Sequence, residues 1–424
     1  MASGSPLAIS AAALSTDAVN SAIKIHYKSL RVKNMVYKDN PWLAMIPKYT
    51  SFGGLSMPIP LRYHDPQRRA ADFSTAQSNT STSGLVQFSI KRSKDYSFAF
   101  IDGETIQATK GDKNAFLQYL TMEIDGAVNS LTRSLAVALY GDGTGKLGAV
   151  ATGGVTAGSG SPAAENPDVI TLAQSEDITN FEVGMNLVAA ANAATNAGAA
   201  LTVTAVDREN GTFSVAQGTA SGKIAAGDLV FQEGDYASAN DTKKVFGLDA
   251  WVPSTAPTGA DSFNGVNRSS DPTRLGGVRF DGSSMPIEEA IYGAAAQIAR
   301  EGGNPDTALC DFATYATLEK ALGARIVYDT VKAPDVDIGF SGIRINGPRG
   351  PIRVVPDYNC QSGVIWLLQR DTWVLASLGE APQFLDLDSM KMLRDAGADA
   401  YEVRLGYYAS VGCFAPGWNC RIAL

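Results

Sequence analysis

The spacing of apolar positions changes period several times along the chain of 424 residues. Val19, Ile23, His26 or Tyr27, and Leu30 recur on one helical face behind Ser15 or Thr16, which predicts a capped helix over 15–30. Pro41 and Pro47 then bracket the apolar patch Trp42–Ile46, read as an extended anchor. From Phe52 to about Thr109 the period is two: Leu55, Met57, Ile59 and Leu61 alternate, then Val86, Phe88 and Ile90, then Tyr96, Phe98 and Phe100. Between the first two runs, Asp65–Gly84 is polar and has no apolar rhythm. The segment reads as one long hairpin with a solvated tip.

The period then becomes helical. Leu117, Leu120, Ile124, Val128, Leu131, Leu135 and Leu139 form a single stripe, with Asp112 at the cap position and Gly141 at the end. This predicts a helix of ~40 Å laid across a sheet, with Glu123 and Asp125 on its polar side. Residues 141–167, rich in Gly, Ser and Ala, read as a linker. Short strands follow at 169–172, 201–206, 212–215 and 228–231, with 189–200 ambiguous, so 165–235 reads as an inserted all-β domain. After a connection over 236–280, a helix is expected around Ile287–Ile298, a buried strand at 307–310, and an Asp311-capped helix over 312–322. Strands are then expected at 343–345, 352–355, 364–368, 372–375 and 401–408, the last continuing into 411–414.

Composition narrows what such a chain can do. Apolar residues make up 45% and charged residues 18%, enough for a packed core, and 35 basic against 43 acidic residues leave a net charge of −8. That balance opposes a protein that holds nucleic acid by neutralising phosphates. No apolar run approaches the ~20 residues that span a bilayer. The start of the sequence lacks the basic region of a secretory signal, and the four scattered cysteines read as reduced, buried thiols.

Candidate chemistry is sparse. Two histidines, His26 and His64, rule out a paired-histidine zinc motif and oppose a histidine-based triad. Gly143-Thr-Gly145-Lys-Leu-Gly148 fits a dinucleotide-binding string, but it follows a helix where the fingerprint needs a strand before it and a helix after it. His64-Asp65 lacks a third partner and a cleft. What stands out is a set of contact devices: Trp42 as an anchor, and Arg62, Arg68, Arg69, Lys91, Arg92 and Lys94 on the hairpin of an otherwise acidic chain.

The order of parts resembles the major capsid protein of tailed bacteriophages, in the α+β Hong Kong 97-type fold. The residues that carry the resemblance are Leu135–Gly143 at the end of the long helix, Asp306–Leu318, and Ile352–Tyr358. It implies an N-terminal arm (1–48), an extended loop formed by the β-hairpin (49–109), and a peripheral domain with the spine helix (110–150). The inserted all-β domain (165–235), a connection back to the peripheral domain (236–280), an axial domain (281–399) and return strands of the peripheral domain (400–424) complete it. The implied function is structural and non-enzymatic: hexamers and pentamers of an icosahedral head around double-stranded DNA, in the virion, with no cofactor and no membrane. Scaffolding, portal and possible decoration proteins are the implied partners, with non-specific contact to packaged DNA. The type member's charged N-terminal extension is absent here, so either a separate scaffold acts or an extension has been removed. An encapsulin-like nanocompartment is the alternative. On this reading the arm and hairpin order only on neighbouring copies, with Glu123 and Asp125 receiving the hairpin's charges.

Overall fold

The computed structural model describes residues 36, 39–104, 113–191, 200–236, 243–259, 261–323, 328–332, 339–386, 392–395 and 397–424. The helix expected over 15–30 and the Asp112 cap lie outside these residues. The chain begins with α1 (Pro41–Met45), β1 (Lys48–Tyr49), β2 (Ser56–His64), α2 (Phe73–Ser78), β3 (Gly84–Lys91), β4 (Ser93–Asp102) and α3 (Lys113–Ala138). Six strands follow: β5 (Lys146–Thr156), β6 (Asp168–Leu172), β7 (Asn186–Ala190), β8 (Leu201–Asp207), β9 (Thr212–Val215) and β10 (Leu229–Gln232). Next come α4 (Leu248–Trp251), β11 (Ser262–Phe263), β12 (Val266–Asn267), β13 (Val278–Asp281), α5 (Ile287–Arg300), β14 (Thr307–Cys310) and α6 (Phe312–Leu322). The remainder is β15 (Tyr328–Lys332), β16 (Gly339–Asn346), β17 (Pro351–Pro356), β18 (Val364–Leu368), β19 (Trp373–Ser377), β20 (Gln383–Phe384), β21 (Leu393–Arg394), β22 (Ala400–Cys413) and β23 (Cys420–Ala423).

Two compact units result, and β22 and α3 each pass from one into the other. In the smaller, which includes residues 95–134 and 380–407, β4, β20 and β21 all pair with β22. The expected stripe of α3 is buried at Leu120, Ile124, Val128, Leu131 and Leu135. Strand β4 turns its aromatic alternation outward. Its inward residues are Ser93, Ala99 and Ile101, while the aromatic set Tyr96, Phe98 and Phe100 lies on the exposed face. Nor is β4 part of the hairpin: among the described residues β2 pairs with β3 alone, and β4 joins the sheet of β22.

In the larger unit, a mixed seven-stranded sheet has the order β13-β23-β18-β14-β17-β16-β15. Its core joins Ile291, Ala294 and Ile298 of α5 to Leu318 of α6 and to Val354, Ile365 and Ile422 of the sheet. The local signals are those expected: Asp311 accepts from the Ala313 and Thr314 amides to cap α6, and Gly302, at φ +95°, follows the end of α5. Sheet membership departs from the boundaries 281–399 and 400–424. Strand β19 leaves to pair with β1 and β22, while the final strand β23 returns between β13 and β18.

The insertion is a closed six-stranded barrel, β10-β5-β6-β9-β8-β7. Phe181 and Phe213 stack at 5.0 Å inside it, with Ile170, Val215 and Val230 around them. Its first strand, β5, lies in the segment read as a linker, so the insertion starts at Lys146 and not at 165. The reason is steric. A Cβ on Gly154 would come within 2.6 Å of the Thr171 carbonyl oxygen, so glycine is required where β5 meets β6. The register also shifts between Val150 and Val155, which breaks the alternation that marks a strand.

Burial pushes the Asp177 carboxyl up to about 6, helped by Glu176 and opposed by Lys146. A carboxyl raised on folding above its unfolded value of ~3.9 stabilises most at acid pH, and its contribution falls as the pH rises through the folded value. Hydrogen-exchange protection across residues 146–232 should therefore be higher at pH 5 than at pH 7.5, by on the order of 1 kcal/mol. In Asp177→Asn this difference should disappear.

Candidate assembly surface

The two ends of the hairpin differ in kind. At its base Ile59, Phe88 and Ile90 are fully buried. The Phe88 ring lies 5.1 Å from Trp251 and 6.3 Å from Phe263, edge-on to both. Gly412 of β22 makes room: a Cβ there would approach Ile59 Cδ1 to 2.6 Å. Arg274 donates to the Tyr63 carbonyl at 2.6 Å while its Nε donates to Glu301 at 3.1 Å. The expectation that the hairpin lacks a core of its own is thus corrected for its base, because long-range aromatic contacts invisible in the local pattern supply one. Beyond Leu61, apart from that Tyr63 contact, none of the described residues 62–87 is buried. Phe73 and Leu85 are 81% and 71% exposed, and α2, capped by Asp72, buries none of its residues.

The candidate contact residues separate in the same way. Arg68, Arg69, Lys91 and Lys94 are exposed, Arg68 donating to the Ser81 carbonyl at 3.0 Å. Arg62 is exposed and lies 3.3 Å from Asp65. Arg92 departs from expectation: it is half-buried, its guanidinium stands 5.0 Å from the Phe52 ring centroid, and it donates to the Phe52 carbonyl. Glu123 and Asp125 lie half-buried on α3.

Trp42 is 1% exposed, so it anchors within its own chain rather than on a neighbour. Pro41 starts α1, the Trp42 amide donates to the Asp357 carboxylate at 3.2 Å, and the indole sits edge-on to Trp373 at 6.1 Å. The same carboxylate accepts from the Tyr140 hydroxyl at 2.8 Å, the Asn359 amide at 2.9 Å and Asn359 Nδ2 at 3.0 Å. Tyr358 Oη and Asn359 Nδ2 each donate to Asn40 Oδ1 at 3.0 Å. Burial raises the Asp357 pKa despite these donors, and burial together with the adjacent carboxylate raises that of Tyr140. Sequence reading missed this node. Its signal lay in Leu135–Gly143 and Ile352–Tyr358, which meet at Tyr140 and Asp357.

Chemistry outside the node is muted. Burial pushes the Cys413 thiol up to about 12 and the other three higher still, suppressing nucleophilic thiolate. Gly143–Gly148 runs directly into strand β5, not into a helix. Among the described residues no cluster could hold a metal ion, and no helix is long and apolar enough to cross a membrane.

No protein-family model and no curated protein matches the chain. Solved structures do. A chain of the cyanophage A-1(L) capsid asymmetric unit aligns with TM-score 0.50 at 11% identity, covering 91% of this chain and 92% of that one. A Mycobacterium phage Bobi structure aligns with TM-score 0.42 at 10% identity over 96% and 98%. An encapsulin complex from Synechococcus elongatus PCC 7942 gives 0.42 at 9% over 95% and 94%. The first of these shows the fold alone: a mixed α+β architecture resembling the Hong Kong 97-type capsid fold.

Three substitutions probe the node. Tyr140→Phe should cost about 1–2 kcal/mol in denaturant unfolding of the isolated subunit, and Asp357→Leu, which strands several buried donors, about 3–5 kcal/mol. Trp42→Ala should cost about 3–5 kcal/mol in the same assay. A Trp42 variant that weakens only assembled particles would return that residue to an interface.

Proposed function

We propose that this chain is a shell-forming capsid subunit, whose copies tile as hexamers and pentamers into an icosahedral phage head around double-stranded DNA. The observation that carries the reading is the end-to-end correspondence with a capsid subunit, 91% of this chain on 92% of that one. In this reading α3 is the spine helix, the hairpin is the extended loop, and residues before β1 belong to the arm. The seven-stranded sheet is the axial core, the sheet of β22 the peripheral one, and the barrel an inserted accessory domain. The subunit is a virion component, with scaffolding, portal and decoration proteins as partners.

Physical chemistry supports a mechanical role. The hairpin tip leaves Phe73 and Leu85 unburied and carries Arg68 and Arg69, exposed apolar and charged groups suited to a neighbouring copy. Charge is also unevenly placed. Residues 146–235 hold ten acidic and three basic residues, net −7, which leaves 33 acidic and 32 basic elsewhere, net −1. A barrel carrying nearly all the net charge belongs on the face turned away from packaged DNA, where repulsion between like charges is least.

Electron microscopy and sedimentation of the full chain test the reading. Closed shells, or rings of five and six copies, are expected; a monomer alone at high concentration would overturn it. Particles that protect DNA from nuclease are expected, and particles holding only protein cargo would instead place the chain with nanocompartments. Reversing charge at Arg68, Arg69 and Lys91, all exposed, should lower shell yield several-fold while leaving subunit melting unchanged.

A further inference from the structure

The two edges of the hairpin are unequal. In antiparallel pairing, opposed residues alternate between pairs that exchange hydrogen bonds and pairs whose N–H and C=O groups point outward. Ser89, opposite Pro58, donates its amide to the Asn264 carbonyl at 2.9 Å, away from β2. Pro58↔Ser89 is therefore an outward-pointing pair, and so is Pro60↔Gln87 two residues along. On β3 this leaves the outer edge engaged by the turn between β11 and β12 at Ser89. On β2 the outward-facing positions are Ser56, Pro58, Pro60 and Arg62, and the two central ones, Pro58 and Pro60, have no N–H to donate.

We infer that the outer edge of β2 is closed to strand addition, so that hairpins of separate copies meet through side chains and cannot extend one another's sheet. An edge strand offers a template because it presents donors and acceptors in alternation. Here the run of donors is interrupted at its centre, where Pro58 and Pro60 present carbonyls only between the amides of Ser56 and Arg62, and the stretch after Arg62 is closed by other means. The register shifts between Arg62 and His64, which bends the edge, and the Tyr63 carbonyl is taken by the Arg274 guanidinium at 2.6 Å. Packing does not explain the prolines. Both are exposed, while Ile59 and Leu61 beside them turn inward. The inference concerns a single chain and holds whether or not that chain builds a shell.

The test uses full-length Pro58→Thr/Pro60→Val, which restores two edge donors on β-forming residues. The expected result is a shift in sedimentation towards elongated, pelletable polymers that bind thioflavin T, with the near-ultraviolet circular dichroism of the parent retained. Unchanged sedimentation in a natively folded double variant would overturn the inference, as would polymers that form only as the native signal is lost. Should the double variant not fold, the two single variants each restore one donor, and absence of any shift in both would equally overturn it.

Discussion

One buried carboxylate holds together three segments that lie far apart in sequence. Asp357 follows β17, Tyr140 follows the long helix α3, and Trp42 opens α1, yet the Trp42 amide and the Tyr140 hydroxyl both donate to Asp357 Oδ2. A charge taken out of water is tolerated only when several donors replace the solvent, and here the Trp42 and Asn359 amides, a phenol and a side-chain amide do so. The node fixes where the chain emerges from its N-terminal segment before it turns into the hairpin. Removing the carboxylate would orphan donors on every segment at once, so the three stand or fall together.

The hairpin extends from this fixed region and is only half completed by its own chain. Its base is held by Trp251, Phe263 and the space left by Gly412. Its tip is exposed, with Phe73 unburied and Arg68 and Arg69 set among polar residues. A strand pair in that condition is open to neighbours on its faces, and Pro58 and Pro60 restrict how a neighbour can approach its edge. Stability at the base, exposure at the tip and closure of the edge together describe a segment built for contact of limited kinds.

Much of this was legible in the residues. The apolar stripe of α3, the β14 strand Thr307–Cys310 and the Asp311-capped α6 lie where period and capping place them, because local chemistry suffices there. Four strands of the barrel were legible for the same reason. Strand β5 was not, since its glycines answer to Thr171 across the barrel and not to a local pattern. The alternation of Tyr96, Phe98 and Phe100 marked a strand but not its inward face, because period two identifies the faces of a strand without saying which is inward. Of the candidate contact residues, Arg68, Arg69, Lys91 and Lys94 are exposed as expected, whereas Trp42 and Arg92 are occupied by partners in their own chain.

The amino-acid sequence by itself determined the kinds of element, most of their order, the acidic balance and the poverty of catalytic groups, since these follow from periodicity, capping and composition. Only the tertiary structure decided which sheet each strand joins, that Asp357 serves three segments, and that the missing donors of Pro58 and Pro60 fall on an open edge. Each of these depends on partners far away along the chain, and which partner a residue meets is set by packing of the whole, not by its neighbours in sequence.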